Sequence, residues 1–279
     1  MNTIYKLLLF FILLGWDEAQ SQTIDTLINV GNHNLYFKII KGNGTPILFE
    51  SGNGNDGSVW DNILKSIYDS TGATLITYDR AGLGKSEIDT TGISFKQEIK
   101  DLNNALKKLD FEEDYFLVAH SFGGIYASEF AQKNKGKIKG AVFIDVAIPC
   151  QLNNEYTTRI KNSISDENWK MLKEYKTGLY YVLNKFPEIA EYMSQRYISN
   201  SIPLTLIVAE HYEPTAQIGE TEQDMLDWKT CLKEFGNLPN HKYVVTKDTD
   251  HKVWEKDPKT VVEEISKLYN QIQGEKPNH

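Results

Sequence analysis

The chain has 279 residues, of which 41% are apolar, 24% charged and 11% aromatic. This composition is typical of a globular protein and excludes a disordered chain, a collagen and a coiled coil. The net charge is −8. An acidic chain without a basic run argues against nucleic acid or an anionic membrane as the main partner, and we interpret the charge as a contribution to solubility.

The beginning of the chain has the three regions of a secretory signal peptide. A single lysine precedes an apolar run that ends at Leu14, and this run of about 8 to 11 residues is too short to span a bilayer. Ala19 and Ser21 then place small residues at the −3 and −1 positions of a cleavage site. We therefore predict a signal peptide over residues 1–21, export to the periplasm or the medium, and no stable membrane insertion after cleavage. The alternatives are an N-terminal anchor and a buried helix.

Apolar runs then alternate with segments of helical periodicity. The predicted strands of this part are Thr23–Val30, His33–Lys41, Thr45–Glu50, Ala73–Tyr78, Tyr115–Ala119 and Lys139–Asp145. The predicted helices are Ser58–Ser70, a helix that begins after Ser94, and Phe122–Gln132. Ser94 and Gln97 have the spacing of a capping box, and apolar residues then recur at steps of three and four.

The pattern changes after Pro149. Polar helical stretches with many tyrosines, and no clear strand, continue to about Asn200. Strands are predicted again at Pro203–Ala209 and Lys242–Thr246, and helices at Thr221–Phe235 and from Asp257, with proline at the first helical position. Continuous apolar strands that alternate with helices predict an α/β fold with a mostly parallel eight-stranded sheet and helices on both faces. We expect residues 22–149 and 202–279 to form this core, and residues 150–201 to form an inserted helical cap.

One serine lies at a predicted turn between a strand and a helix. Residues 119–123, with the sequence AHSFG, fit the small-x-Ser-x-Gly pattern of a nucleophile elbow. Such a turn crowds the backbone, so the positions two before and two after the serine must be small. Ala119 replaces the usual first glycine, and Gly123 satisfies the second requirement. We interpret Ser121 as a nucleophile; the alternative is a serine that caps the helix.

A serine hydroxyl needs a base, and the candidate is His251. It follows the last predicted strand, whose carboxyl end lies at the same edge of the sheet as Ser121. His211, in the loop after the preceding strand, stays open as an alternative base. The base in turn needs an acid that fixes its tautomer. We favour Asp145, which ends the strand after the elbow helix.

Two glutamates stay open as alternative acids. Glu210 and Glu213 follow the next strand, and either could reach the histidine. Acyl chemistry also needs donors for an oxyanion. We predict the backbone N–H of Phe122, at the first turn of the elbow helix, and that of Asn53, in a glycine-rich loop that lets the backbone approach a substrate closely.

The chain resembles the α/β-hydrolase fold superfamily. The resemblance runs from about Thr45 to Ile272 and is carried by ESGNGNDGSVW, YDRAGLGKS, AHSFGGIYA, AVFIDVAIP and TDHKVWEKDP. It implies a triad of Ser121, Asp145 and His251, with oxyanion donors at the two backbone amides already named.

The sequence departs from the usual family pattern at the acid. The family usually places it after the strand that corresponds to PLTLIVA, where this chain reads AEHY without aspartate. Some relatives, including haloalkane dehalogenases, place the acid after the preceding strand, where Asp145 falls. Those relatives have an aspartate nucleophile, so Ser121 favours ester or amide cleavage over dehalogenation or epoxide opening.

Two glycine-rich segments resemble the sequence motifs of nucleotide-binding sites. Residues 52–57 are a literal G-x-G-x-x-G, with Asp79 at the end of the next strand, but the predicted helix starts too late for a dinucleotide fingerprint. Residues 79–86 miss the P-loop pattern because Asp79 stands where its first glycine must be. We read this second loop as structural and expect Arg80 to form a buried ion pair.

The sequence thus predicts an exported serine hydrolase that acts on a small-molecule acyl substrate, most simply a carboxylic ester, without cofactor or metal. An amidase or aminopeptidase, or a binding protein with a silent hydrolase fold, are the alternatives. The tyrosines of the cap line an apolar acyl pocket or form the core of the cap. Cys150 and Cys231 could form one disulfide, because an exported protein meets oxidising conditions.

Overall fold

One eight-stranded sheet organises the computed structural model, which describes residues 22–215 and 218–274. Its strands are β1 (Thr23–Asn29), β2 (Asn34–Ile40), β3 (Ile47–Glu50), β4 (Leu75–Tyr78), β5 (Tyr115–His120), β6 (Ile138–Ile144), β7 (Leu204–Val208) and β8 (His241–Val245). They are ordered β1-β2-β4-β3-β5-β6-β7-β8. Strand β2 runs antiparallel to β1 and β4, and every other neighbouring pair is parallel, so the prediction of a mostly parallel sheet is confirmed. The predicted signal peptide, residues 1–21, lies outside the described residues.

Helices cover both faces of this sheet, as predicted. They are α1 (Asp61–Thr71), α2 (Phe95–Lys108), α3 (Gly123–Lys133), α4 (Asn154–Ser163), α5 (Asp166–Tyr175), α6 (Thr177–Asn184), α7 (Phe186–Met193), α8 (Glu222–Gly236), α9 (Val253–Lys256) and α10 (Pro258–Ile272). One apolar core lies between the sheet and helices α2, α3 and α8, and a second lies between the sheet and helices α1, α9 and α10. Because both faces are covered, β3, β4, β5 and β7 are buried along their length, and β6 is buried except at Lys139.

Helix α1 begins three residues later, and the elbow helix α3 one residue later, than the sequence pattern suggests. Before α1, residues Gly57–Trp60 form a short 3-10 turn, and the side chain of Asp56 accepts a hydrogen bond from the Ser58 N–H at 3.0 Å. The elbow helix α3 begins at Gly123, because Phe122 serves as its N-cap residue. Both shifts are local and leave the helical faces unchanged.

Helices α4 to α7 form the cap between β6 and β7. A third apolar cluster joins α4, α6 and α7 to the first turns of α2 and α3, so the cap sits over the carboxyl edge of the sheet. A disulfide between Cys150 and Cys231, with Cα atoms 6.1 Å apart, ties the start of the cap to α8. No helix of the described residues is both long and apolar enough to cross a membrane.

Candidate active site

Ser121 stands at a strained turn between β5 and α3. Its φ is +53°, a left-handed conformation that costs an L-residue free energy and persists only when the surroundings fix it. Here the Ser121 carbonyl accepts hydrogen bonds from the N–H of Gly124, at 3.0 Å, and from that of Ala147, at 2.9 Å. These bonds tie the turn to its own helix and to the loop after β6.

The two positions that flank this turn differ in how strictly they must be small. A Cβ atom on Gly123 would lie 2.4 Å from the carbonyl oxygen of Glu50, so this position accepts only glycine. Ala119, two residues before the serine, is completely buried yet keeps its methyl group. The departure from the usual first glycine is therefore accommodated.

Three side chains from distant parts of the chain form a hydrogen-bonded series. Ser121 Oγ lies 2.9 Å from His251 Nε2, and His251 Nδ1 lies 2.6 Å from Asp145 Oδ2. The carboxylate is buried, whereas 42% of the histidine side chain is exposed. A proton on Nδ1 would be donated to the carboxylate, which leaves Nε2 as an acceptor for the serine hydroxyl. The arrangement can therefore draw a proton from Ser121.

The alternative acids and the alternative base lie outside this series. Glu210 is exposed and its Oε2 accepts a hydrogen bond from the Asp248 N–H at 2.7 Å. Glu213 is exposed on the wall of the adjoining cavity. His211 is exposed as well, and its Nε2 lies 3.7 Å from Glu210 Oε2. Among the described residues, the carboxylate that contacts His251 is that of Asp145.

The second oxygen of Asp145 has its own two donors. Oδ1 accepts hydrogen bonds from the Tyr212 hydroxyl and, at 3.1 Å, from the Ala209 N–H. Burial and the negative charge of Asp145 raise the pKa of Tyr212, so its hydroxyl keeps the proton that it donates. Sequence reasoning missed Tyr212, although it stands two residues after Glu210, because only a base and candidate acids were sought in that loop.

The backbone of His251 is also held in place. His120 Nε2 lies 2.9 Å from the His251 carbonyl oxygen. Burial lowers the pKa of His120 well below its ordinary value, so the ring is neutral and Nε2 carries the proton for this bond. The Trp228 ring packs edge-on against the His251 ring, with centroids 5.2 Å apart, and its Nε1 donates to the Val146 carbonyl at 2.8 Å. Sequence reasoning treated His120 as the variable residue of the elbow.

Asn53 and Phe122, the predicted oxyanion donors, line the same cavity as Ser121. Within the described residues, neither backbone N–H donates a hydrogen bond to a protein acceptor. Both amides are therefore available to a group bound beside the serine. A backbone N–H without a protein acceptor can donate a hydrogen bond to an oxygen that becomes negative during a reaction.

A cavity of about 720 Å³ opens beside Ser121, between the cap and the carboxyl edge of the sheet. Apolar side chains form much of its wall: Phe122, Leu152, Tyr156, Ile160, Leu183, Phe186, Ile218 and Met225. Exposed charged residues surround its opening: Glu213, Asp248, Asp250, Lys252 and Lys256. Of the cap tyrosines, Tyr156 lines this cavity, whereas Tyr175 is exposed to solvent.

One group of side chains in the described ranges could hold a metal ion. Glu210, His211 and Asp248 bring their ligand atoms within 4.8 Å of one another. All three are exposed, and the Glu210 carboxylate already accepts the Asp248 N–H. They belong to the loops after β7 and β8 and do not contact Ser121 or Asp145.

Comparison with known proteins points to one family. A family model for the α/β-hydrolase fold matches residues 45–175. The uncharacterized protein YqjL of Bacillus subtilis is 37% identical over 105 residues, which are 38% of this chain and 41% of that protein. The chain spans about half or less of the length of the curated relatives that it matches.

Solved structures resemble the fold over nearly its whole length. A haloalkane dehalogenase loop variant from Bradyrhizobium elkanii has a TM-score of 0.70 and 13% identity, over 91% of this chain and 98% of that one. A thermophilic esterase from Thermogutta terrifontis has a TM-score of 0.57 and 18% identity, over 90% of this chain and 99% of that one. At such identities the likeness concerns the fold. Together with the matched family model and the strand order, it shows that the chain has the α/β-hydrolase fold.

Proposed function

We propose that this protein is a serine hydrolase that cleaves carboxylic esters through an acyl-enzyme. The observation that carries the proposal is the hydrogen-bonded series in which Ser121 Oγ lies 2.9 Å from His251 Nε2 and His251 Nδ1 lies 2.6 Å from Asp145 Oδ2. A nucleophile, a base and an orienting acid in this order are the minimum set for acyl transfer.

The first half-reaction acylates the serine. Ser121 Oγ attacks the ester carbonyl carbon while His251 Nε2 takes the hydroxyl proton, and the charge of Asp145 stabilises the resulting imidazolium. The carbonyl oxygen becomes negative and accepts hydrogen bonds from the N–H groups of Asn53 and Phe122. When the tetrahedral intermediate collapses, the bond to the alcohol oxygen breaks and His251 returns the proton to that oxygen.

The second half-reaction releases the acid. Water attacks the acyl carbon and His251 accepts a proton from it; the bond between Ser121 Oγ and the acyl carbon then breaks as His251 returns that proton to Oγ. The exposed edge of the His251 ring gives this water access from solvent, since 42% of the side chain is exposed. Serine and neutral histidine are then restored together.

The cavity supports an ester with an apolar group as the substrate. Aliphatic and aromatic side chains form much of its wall, and its exposed charged residues stand at the opening. An apolar acyl chain would leave water on entering, at about 0.8 kcal/mol per methylene. The carboxylate product would leave through this opening into solvent.

We also propose that the protein is exported. The signal-peptide pattern of residues 1–21 supports this, and so does the disulfide between Cys150 and Cys231, because disulfides persist in oxidising compartments. Mass spectrometry of the protein recovered outside the cytoplasm tests the proposal. An N-terminus near Gln22 is expected, whereas a full-length chain retained in the cytoplasm would contradict it.

The enzymatic proposal is tested with the Ser121→Ala variant on p-nitrophenyl esters of increasing chain length. We expect kcat/KM to fall by about a thousandfold or more, because the nucleophile is lost while the fold is kept. Ser128→Ala is the matched control, since Ser128 is a buried serine on α3 whose hydroxyl, among the residues that the structure describes, bonds only the Gly124 carbonyl. Ester turnover that survives in Ser121→Ala would refute the proposal, and faster cleavage of the matching anilide would identify an amidase.

A further inference from the structure

Arg80 lies beneath the loop that carries Asn53 and binds two of its carbonyl groups. Nη1 donates to the Ser51 carbonyl oxygen at 2.7 Å, and Nη2 donates to the Gly52 carbonyl oxygen at 2.6 Å. Only 4% of the arginine side chain is exposed. The predicted buried ion pair is present, because Nη1 also lies 3.7 Å from Glu50 Oε2. The sequence pattern did not predict the hydrogen bonds from Arg80 to the loop carbonyls.

The hydrogen bond from Arg80 to the Gly52 carbonyl also determines the direction of the next backbone N–H, that of Asn53. The Gly52 carbonyl and the Asn53 N–H belong to one planar trans peptide, so they point in opposite directions. Since the carbonyl is directed at Arg80, the N–H is directed away from it. That amide is the one that lines the cavity beside Ser121 and donates to no protein acceptor in the described ranges.

Arg80 is itself held from two sides. Its guanidinium carbon lies 4.5 Å from the centre of the Tyr126 ring, on the elbow helix α3. On the other side, Glu50 is completely buried, and the Tyr78 hydroxyl donates to both of its carboxylate oxygens at 2.9 Å. Arg80 therefore links the loop of Asn53 to the helix whose N-cap residue is Phe122, the second candidate oxyanion donor.

We propose that Arg80 is a positioning residue for oxyanion stabilisation: by holding the Gly52 carbonyl, it orients the Asn53 N–H toward the substrate carbonyl. The inference rests on the proposed function, because an oxyanion forms only if Ser121 attacks a carbonyl group. Lysine cannot replace Arg80 in this role. Its ammonium is a single point charge, whereas the planar guanidinium binds two carbonyls with two separate N–H groups.

The test compares Arg80→Lys with wild type on a p-nitrophenyl ester and on the matching thionoester, in which sulfur replaces the carbonyl oxygen. Sulfur is a weak hydrogen-bond acceptor, so the thionoester gains little from the oxyanion donors. We expect kcat for the ester to fall about tenfold or more with KM nearly unchanged, and the thionoester to be affected far less. The ratio of ester to thionoester turnover should therefore fall by several-fold.

The matched control is Arg196→Lys. Arg196 also pairs with a completely buried glutamate, since its Nη1 lies 3.3 Å from Glu129 Oε2, and it also lies over a tyrosine ring, 4.3 Å from the centre of Tyr192. It does not contact the loop of Asn53. A loss of general stability would act on both substrates alike in either variant, so the ratio should remain at the wild-type value in Arg196→Lys.

A crystal structure of the wild-type protein with a phosphonate attached to Ser121 covers the case in which Arg80→Lys does not fold. The phosphonyl oxygen should accept from the Asn53 N–H while Arg80 keeps its bond to Gly52. An unchanged substrate ratio in Arg80→Lys, or a phosphonyl oxygen directed away from Asn53, overturns the inference alone. A wild-type protein that neither hydrolyses the ester nor reacts with the phosphonate overturns the proposed function and, with it, this inference.

Discussion

The hydroxyl of Tyr212 donates a hydrogen bond to Oδ1 of Asp145, the carboxylate oxygen that does not contact His251. With the Ala209 N–H on the same oxygen, this bond fixes the plane of a carboxylate that has no contact with solvent. The plane of the carboxylate determines where Oδ2 lies, and Oδ2 is the atom that binds His251 Nδ1. Tyr212 thus acts on the histidine through the acid.

The first prediction concerns the variant Tyr212→Phe. It removes one donor to a buried charged group, which costs about 1.5 to 3 kcal/mol of stability. We expect kcat for ester hydrolysis to fall about tenfold with little change in KM, because the histidine is less firmly oriented in the transition state. Steady-state kinetics together with urea unfolding check both effects.

Tyr243→Phe is the control for this variant. Tyr243 packs in the same apolar core as Tyr212, but no hydrogen bond joins its hydroxyl to Asp145. It should keep wild-type kcat. Equal kcat values for Tyr212→Phe and wild type would show that the Ala209 N–H alone suffices to hold the carboxylate.

The second prediction concerns the pH dependence of stability. Burial raises the pKa of Glu50 to about 7, although Arg80 and the Tyr78 hydroxyl favour its ionised form, and burial likewise raises the pKa of Glu98 to about 7. In the unfolded chain a glutamate titrates near about 4.3. Between these values the folded protein holds protons that the unfolded chain has lost. The free energy of unfolding should therefore fall as the pH rises through this window, by roughly 3 kcal/mol per carboxyl, and level off above it.

Urea unfolding at several pH values between about pH 5 and about pH 8 measures this slope. Glu50→Gln cannot ionise, so it should lose about half of the slope, and the Glu50→Gln/Glu98→Gln double variant should lose most of it. Stability at a single pH is not the readout, because Glu50→Gln also leaves Arg80 without its negative partner. Glu167→Gln, at an exposed position, should keep the wild-type slope. Identical slopes in all four proteins would contradict the prediction.

The third prediction concerns the disulfide between Cys150 and Cys231, which are separated by 81 residues. Cross-linking a loop of this length restricts the unfolded chain and is worth up to about 4 kcal/mol. We expect the Cys150→Ser/Cys231→Ser double variant to unfold at a lower urea concentration than wild type. Reductant should shift wild type toward the variant and leave the variant unchanged. A wild-type midpoint that does not respond to reductant would argue that the bond adds no stability.

The fold was predictable because the sequences of its central strands are continuously apolar. Runs such as Tyr115–Ala119 and Pro203–Ala209 have no polar alternation, and only a sheet covered on both faces buries such runs. The ends of elements were less predictable. Residues 57–60 form a 3-10 turn capped by the side chain of Asp56, and the periodicity of apolar residues does not distinguish such a turn from the first turn of α1.

The candidate site was predictable where its signal is local. The small residues around Ser121 mark a tight turn wherever they occur between a strand and a helix. The choice among Asp145, Glu210 and Glu213 was not settled by spacing. Asp145 has a φ of +46°, and its carboxylate meets a histidine that lies 106 residues later in the chain. This backbone conformation is set by the folded loop, so the spacing of residues in the sequence does not reveal it.

The supporting residues were missed for the same reason. His120 binds a carbonyl 131 residues away, and Tyr212 binds a carboxylate 67 residues away. Arg80 was expected in an ion pair, yet its bonds to two loop carbonyls depend on the path of the backbone at Ser51 and Gly52. No sequence motif predicts contacts between residues that lie so far apart in the chain.

Covalent modification of Ser121 tests the proposed mechanism most directly. The wild-type protein is mixed with a fluorophosphonate, quenched, digested and analysed by mass spectrometry, beside a His251→Ala variant. We predict one adduct on the peptide that contains Ser121, formed in parallel with the loss of ester hydrolysis, and a far slower reaction in His251→Ala. Full loss of hydrolysis with the adduct on another residue, or continued hydrolysis by protein that is fully modified at Ser121, would contradict the mechanism.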